Sequence, residues 1–340
     1  MTDLLERYAA LKGENPRLRI RDAAASLGTT EAALVAAGAE GPVALIRRDW
    51  PALVGALPRL GRIMALTRNE HAVHERYGSF RHVSTGPGHI LVLGPEIDLR
   101  LFPGAWANAY ALDGARPSIQ IFDKDGEAVH KVFATERTDR DAWAALVAEF
   151  ATAGTPPPAA MPTIHAAPSE GLVDAKTLRE DWLALRDTHD FIAMLRRHKA
   201  TRRQAFRLAG EDLARRLDGR AGSAALRLAA SGAVPVMVFV GNRHAIQIHT
   251  GPIHRLAEVY GWFNVLDTDF NLHLREAGVA EAWRVVKPTA DGAVTSIELL
   301  DANGAPITLL FGERKPGQPE REDWRALVAA VEDGAIDAAA

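Results

Sequence analysis

Apolar and polar positions alternate along this chain with two different periods. Leu4 to Leu11 carries apolar residues at helical spacing. Asp22 opens a short helix that Gly28 ends, and Thr30 caps another running through Ala37. Further on the period changes to that of strands. HILVLG (89–94), IDLRLF (97–102), NAYAL (108–112) and SIQIFD (118–123) alternate or run apolar. Asp123-Lys-Asp-Gly and Asp301-Ala-Asn-Gly are turn sequences, so SIQIF pairs with VHKVF, and SIELL with ITLLF, as antiparallel hairpins. Helices are expected to begin near Asp139 and Glu320 and to span Trp182–Leu195 and Thr201–Leu217. Helices, then an antiparallel meander, then a closing helix predict an α+β fold rather than a strand–helix alternation.

The pattern occurs twice. LLERYAALK at 4–12 matches LREDWLALR at 178–186, and TRNEHAV at 67–73 matches VGNRHAI at 240–246. PEIDLRLF at 95–102 parallels DTDFNLHLR at 267–275. PSIQIFDKDGEAVHKVF at 117–133 parallels TSIELLDANGAPITLLF at 295–311, and DRDAWAALVAEF at 139–150 parallels EREDWRALVAAV at 320–331. Landmarks kept in one order mark a tandem duplication. Residues 151–170 are rich in Pro, Ala, Gly and Thr and read as a linker. The expected domains are therefore 1–150 and 171–340.

Composition narrows the chemistry. Of 340 residues, 47% are apolar and 24% charged, as in a globular protein, and the net charge of −3 gives no basic footprint for nucleic acid. Without cysteine, disulfides, thiolate metal sites and iron–sulfur clusters are excluded. No signal peptide is visible at the N-terminus, and no apolar run approaches the ~20 residues of a membrane span, so a cytoplasmic protein is expected. Glycine fingerprints for nucleotides, a GxSxG elbow and a paired-carboxylate motif are missing. Residues 20–38 have a helix-turn-helix look, a reading that would make the chain a DNA-binding regulator. The second helix, TEAALVAA, carries no base-reading side chain, and two alanine-rich helices packed on a sheet explain it as well.

Chemistry is sought where the copies differ. His189 stands opposite Asn15. A neutral imidazole ligates iron well when its other nitrogen is held by an acceptor; the bland reading is a helix-start histidine that caps or faces water. Asp187 and Asp190 are the nearest carboxylates, but helix geometry makes both poor acceptors for that ring. Arg100 stands opposite His273, on a strand between Leu99 and Leu101, and points away from both, either into water or into a pocket. Arg202, Arg203 and Lys287 are cations able to meet carboxylates, or ordinary surface charges. Phe102 and Phe239 suit stacking on a flat ligand, or plain core packing. His71 and His244 occupy equivalent places and read as structural strand histidines.

YAALKGENPRLRIRDAAASLGTTEAALV, EIDLRLF, DTHDF, TRRQAFRLAG, VFVGNRHAIQIHTGPI, DTDFNLHL and VVKPTADGAVTSIE together resemble the bacterial hemin-degrading and haem-trafficking proteins of the HemS/ChuS/PhuS type, over essentially the whole chain. The resemblance implies a duplicated fold of two large stacked antiparallel sheets flanked by helices. It implies one haem b (iron protoporphyrin IX) on the C-terminal half near the interface with the first copy. His189 is then the proximal iron ligand and Arg100 approaches the other haem face. Arg202 and Lys287 hold the propionates or line the pocket, and Phe102 and Phe239 are aromatic pocket positions. The implied role lies in haem uptake, either breaking haem down or handing it to a separate haem oxygenase, with that oxygenase or a haem ABC transporter as partner. No catalytic residue, nucleic acid or stable membrane insertion is implied.

Overall fold

A computed structural model describes residues 2–153, 163, 169–315 and 317–334; most of the expected linker lies outside them. The first half of the chain runs α1 (Thr2–Glu14), α2 (Ile20–Ser26), α3 (Glu31–Ala36), β1 (Val43–Ile46), α4 (Trp50–Ala56), β2 (Gly61–Arg68), β3 (Ala72–Gly78), β4 (Val83–Gly86), β5 (His89–Leu93), β6 (Asp98–Leu101), β7 (Trp106–Leu112), β8 (Ser118–Asp123), β9 (Ala128–Thr138) and α5 (Arg140–Phe150). The second runs α6 (Ala175–Leu183), α7 (Asp190–Arg197), α8 (Arg202–Leu208), β10 (Ala214–Leu217), α9 (Ala221–Ser231), β11 (Val236–Gly241), β12 (Ala245–Gly251), β13 (Leu256–Val259), β14 (Trp262–Leu266), β15 (Phe270–Leu274), β16 (Glu281–Thr289), β17 (Gly292–Leu300), β18 (Pro306–Gly312) and α10 (Glu322–Glu332). The architecture is the expected α+β tandem duplication. One nine-stranded sheet has the order β1-β7-β8-β9-β2-β3-β15-β14-β13, the other β10-β16-β17-β18-β11-β12-β6-β5-β4. The two orders correspond strand for strand under the internal repeat.

Contacts divide the chain into two compact units. One comprises Met1–Arg68, Glu75–His165 and Asn242–Gln247; the other comprises Asn69–His74, Ala166–Gly241 and Ile248–Ala340. The first unit buries Trp50, Leu53, Ile63, Ile121, Trp143 and Leu146 in one core, while α2 and α3 bury Ala23, Ala24, Leu34 and Val35 with Tyr110 and Phe122 in another. The helix-turn-helix look of residues 20–38 is thus an alanine-rich pair packed on a sheet. In the second unit α9 and α10 pack on β11, β15, β17 and β18 through Leu226, Val238, Leu272, Leu310 and Trp324. A separate core under α6, α7 and α8 gathers Leu178, Trp182, Phe191, Met194, Phe206 and Trp283.

Local chemistry repeats with the fold. The carboxylate Oδ1 of Asp123 accepts from the amides of Asp125 and Glu127 at 2.9 and 3.0 Å; that of Asp301 accepts from Asn303 and Ala305, both at 2.8 Å. Gly126 and Gly304 complete these hairpins at φ of 78° and 76°, where a side chain is strained. Asn69 donates from Nδ2 to the carbonyls of Gly241 and Ile307 at 3.0 and 2.8 Å, and Asn242 does the same to Arg68 and Val129 at 3.1 and 2.9 Å. His71 and His244 follow these asparagines in turns rather than in strands: the asparagine Oδ1 takes their amides and bends the chain ahead of β3 and β12.

Two further expectations change. The helix foreseen over Trp182–Leu195 is two helices, α6 and α7, with a turn at 184–189 between them. Asp187 causes the break, because its carboxylate takes the His189 amide that a continuous helix would use. The helix foreseen over Thr201–Leu217 stops at Leu208. Gly210, at φ of 90°, turns the chain, and residues 214–217 form β10. Helices α4 and α9 were not legible: short or alanine-rich, they carry little amphipathic pattern.

Candidate functional site

His189 stands immediately before α7, in the turn that separates it from α6. Its backbone is already helical, at φ −67° and ψ −25°, and its side chain caps nothing. The side chain is 86% exposed. Its Nδ1 meets Asp187 Oδ1 at 2.7 Å, and the same oxygen accepts the His189 amide at 2.9 Å. The expectation that the adjacent carboxylates are poorly placed is therefore wrong for Asp187. That expectation assumed a helix, whereas the turn folds the side chain of residue 187 back over residue 189. The His189 amide, then its ring, hold the Asp187 carboxyl below its usual range, with the charge of Arg314 adding to the effect. With Nδ1 engaged, Nε2 points the ring's free lone pair outward when the imidazole is neutral.

The helix that follows is anchored by aromatic packing. Phe191 is buried and meets Trp182 edge to face at 4.7 Å; the Trp182 indole N–H donates to the Val286 carbonyl at 2.9 Å. Lys287 Nζ lies 4.7 Å from the centre of the Phe191 ring and 5.7 Å from that of Phe311, and the Arg202 guanidinium lies 5.4 Å from Phe191. Phe239 in turn meets Phe311 edge to face at 5.2 Å. Lys287 and Arg202 both bind the fully buried carboxylate of Glu298, which also accepts from Ser296 Oγ at 3.0 Å. Burial alone would raise the Glu298 carboxyl. The charges of Arg202 and Lys287 outweigh it and hold that group at about 2. Burial likewise pushes Lys287 downward against the pull of Glu298. Two cations share one carboxylate, so the cluster keeps one positive charge in excess.

In the second unit Phe191 and Phe311 link Arg202, Lys287 and Phe239, and His189 stands two residues ahead of Phe191 in the chain. Arg203 lies apart, bound to Glu170 and the Ala302 carbonyl. Arg314, which the sequence did not single out, acts electrostatically on Asp187 beside the ligand candidate. Its only sequence signal was the cation pair Arg314-Lys315, just past β18. In the first unit Arg100 lies on β6 between buried Leu99 and Leu101, on the opposite face from both. It is paired with Asp98, whose carboxyl is raised by burial against the pull of Arg100. Phe102 follows β6, is 38% exposed and donates its amide to the His244 carbonyl at 2.9 Å.

The donor set suits one kind of metal. Among the described residues no three His, Cys, Asp or Glu side chains converge to chelate a bare ion. A single outward imidazole, with its second nitrogen held by a carboxylate, fits a metal that brings its own equatorial ligands. The cation of Arg202 and the ring of Phe239, elsewhere in the same unit, have chemistry that fits a flat, anionic ring.

The model of the haemin-degrading HemS.ChuX domain matches this chain twice, over residues 28–150 and 199–331. The hemin transport protein HemS of Yersinia enterocolitica is 39% identical over 341 residues, covering 98% of this chain and 99% of that protein. Among solved structures, apo-PhuS, a heme-binding protein from Pseudomonas aeruginosa, superposes with a TM-score of 0.93 at 48% identity, covering 97% of this chain and 98% of that one. The heme degrading enzyme ChuS of Escherichia coli O157:H7 superposes at 0.91 with 37% identity, over 97% and 98% of the two chains.

Proposed function

This chain belongs to the haemin-degrading HemS/ChuX family, and on that premise we propose that it binds haem b through Nε2 of His189 and serves a bacterial haem-uptake system in the cytoplasm. The observation that carries the assignment is the exposed His189 ring with Asp187 on its other nitrogen. Haem supplies the redox-active iron. The protein would supply a nitrogen ligand from His189, cationic charge for the propionates and apolar surface for the ring.

Each residue then has a task. Lys287 and Arg202, one charge in excess over Glu298, attract a propionate, and Arg314 offers a further cation near the ligand. Phe239 contributes apolar surface. Within the first unit, Arg100, paired with Asp98, carries a fork of donors able to hold a water or anion, and Phe102 presents an exposed ring. Delivery to a haem oxygenase, with an ABC transporter as the source, is the first reading of the physiological task. A ligand on an exposed turn is reachable by an incoming protein's own ligand. Breakdown with release of iron is the second reading, and ChuS carries that description.

A hemin titration of His189→Ala tests the ligand. The expected result is loss of the parent's Soret shift and weakened one-site binding; a parent-like spectrum and affinity would overturn the assignment. Ascorbate added to the hemin complex with catalase present separates the two tasks. An open-chain tetrapyrrole marks breakdown, and a stable ferrous complex that yields its haem to a second protein marks transfer.

A further inference from the structure

We propose that Asp187 is a positioning residue that fixes the His189 ring as its Nδ1–H tautomer and lends it negative charge, making Nε2 a stronger donor to iron. The proposal rests on His189 being the ligand, as assigned above.

One carboxylate oxygen carries two bonds, to the His189 amide and to its ring. The first is enough to shape the turn before α7. The second has no structural need, because an 86% exposed ring can satisfy Nδ1 with water. In solution a neutral imidazole favours the proton on Nε2, the nitrogen required for the metal. A carboxylate on Nδ1 reverses that preference. Once a flat ligand covers the ring and displaces water, the lower local dielectric strengthens the bond.

The repeat supports pairing of the two roles. Under the alignment of 4–12 with 178–186, His189 corresponds to Asn15 and Asp187 to Gly13. The first copy lacks the imidazole and the carboxylate together. Gly13 has ordinary backbone geometry, and a Cβ there would meet nothing within 4 Å, so sterics do not explain the missing side chain. Asp190, the other adjacent acid, starts α7, where a carboxylate complements the helix dipole.

Two variants separate the electronic role from the structural one. Asp187→Asn keeps an oxygen able to accept both bonds but removes the charge; Asp187→Ala removes both. Nitrogen-15 spectra of the ligand-free full chain at pH 8 should show His189 mainly as the Nδ1–H tautomer in the parent, shifted toward Nε2–H in the Asn variant and more so in the Ala variant. In the hemin complex, the ferric/ferrous midpoint potential should rise in both variants and hemin affinity should fall about 10- to 100-fold. Circular dichroism checks that the Asn variant keeps the parent fold. Unchanged tautomer and potential in the Asn variant would reduce Asp187 to a turn-former and overturn the proposal. Parent-like hemin binding by His189→Ala would instead sink the ligand assignment, so the two failures are distinguishable.

Discussion

Trp182 and Phe191 meet edge to face with ring centroids 4.7 Å apart and planes at 71°, and this contact joins α6 to the helix that begins beside His189. Both rings are buried with Phe206, Met194 and Leu195. Phe191→Ala is expected to cost about 3–5 kcal/mol, the usual penalty for emptying a buried aromatic site. Chemical unfolding measures it. Phe191→Leu, which keeps most of the volume, should cost less and preserve hemin binding better.

Glu298 is the only carboxylate on Lys287 and Arg202 among the described residues, so its loss strands two cations in the core. Glu298→Ala should destabilise the chain by about 3–5 kcal/mol. Lys287→Met should cost less, because Arg202 remains to balance the carboxylate. A urea series on both variants checks the order, and a reversed order would refute it.

Acid should act in two stages. Burial holds His130 down to about 3, with its Nδ1 2.8 Å from Thr67 Oγ1. Below the ordinary value of 6.5 the unfolded chain therefore binds a proton that the folded chain refuses, and stability falls as pH drops. Glu31 and Glu298, both at about 2, add a second decline from 4.5 downward, on the order of 3 kcal/mol each. Unfolding midpoints measured from pH 7 to pH 3 should show this, and His130→Gln should flatten the stage above pH 4.5.

Lys199 sits just past α7 at φ 51°, while its counterpart past α2 is Gly28 at φ 66°. A lysine pays a steric cost in this region that glycine does not. Lys199→Gly should stabilise the chain by about 0.5–1 kcal/mol, read as a melting temperature higher by roughly 1–4 °C.

The duplication and the two hairpins were legible because turn chemistry is local: Asp123 and Asp301 each collect two amides from their own hairpin. As a candidate, His189 stood out as a difference between the copies and through the resemblance carried by DTHDF. The acceptor on its ring did not, since it depends on where a helix stops, and Asp187 itself makes that stop. Periodicity also said nothing of Glu298. It lies mid-strand in SIELL, and its two cations come from positions 202 and 287, distant in sequence.

The inverted polarity of the repeat shows at the residue after each capping threonine. Thr30 is followed by Glu31, which binds Arg68 and Lys131; Thr201 is followed by Arg202, which binds Glu298. A helix moved from one copy to its counterpart would set like charges against each other in a dry interior. The copies have become mutually exclusive in their wiring, and swapping modules between them would require rewriting the strand charges at the same stroke.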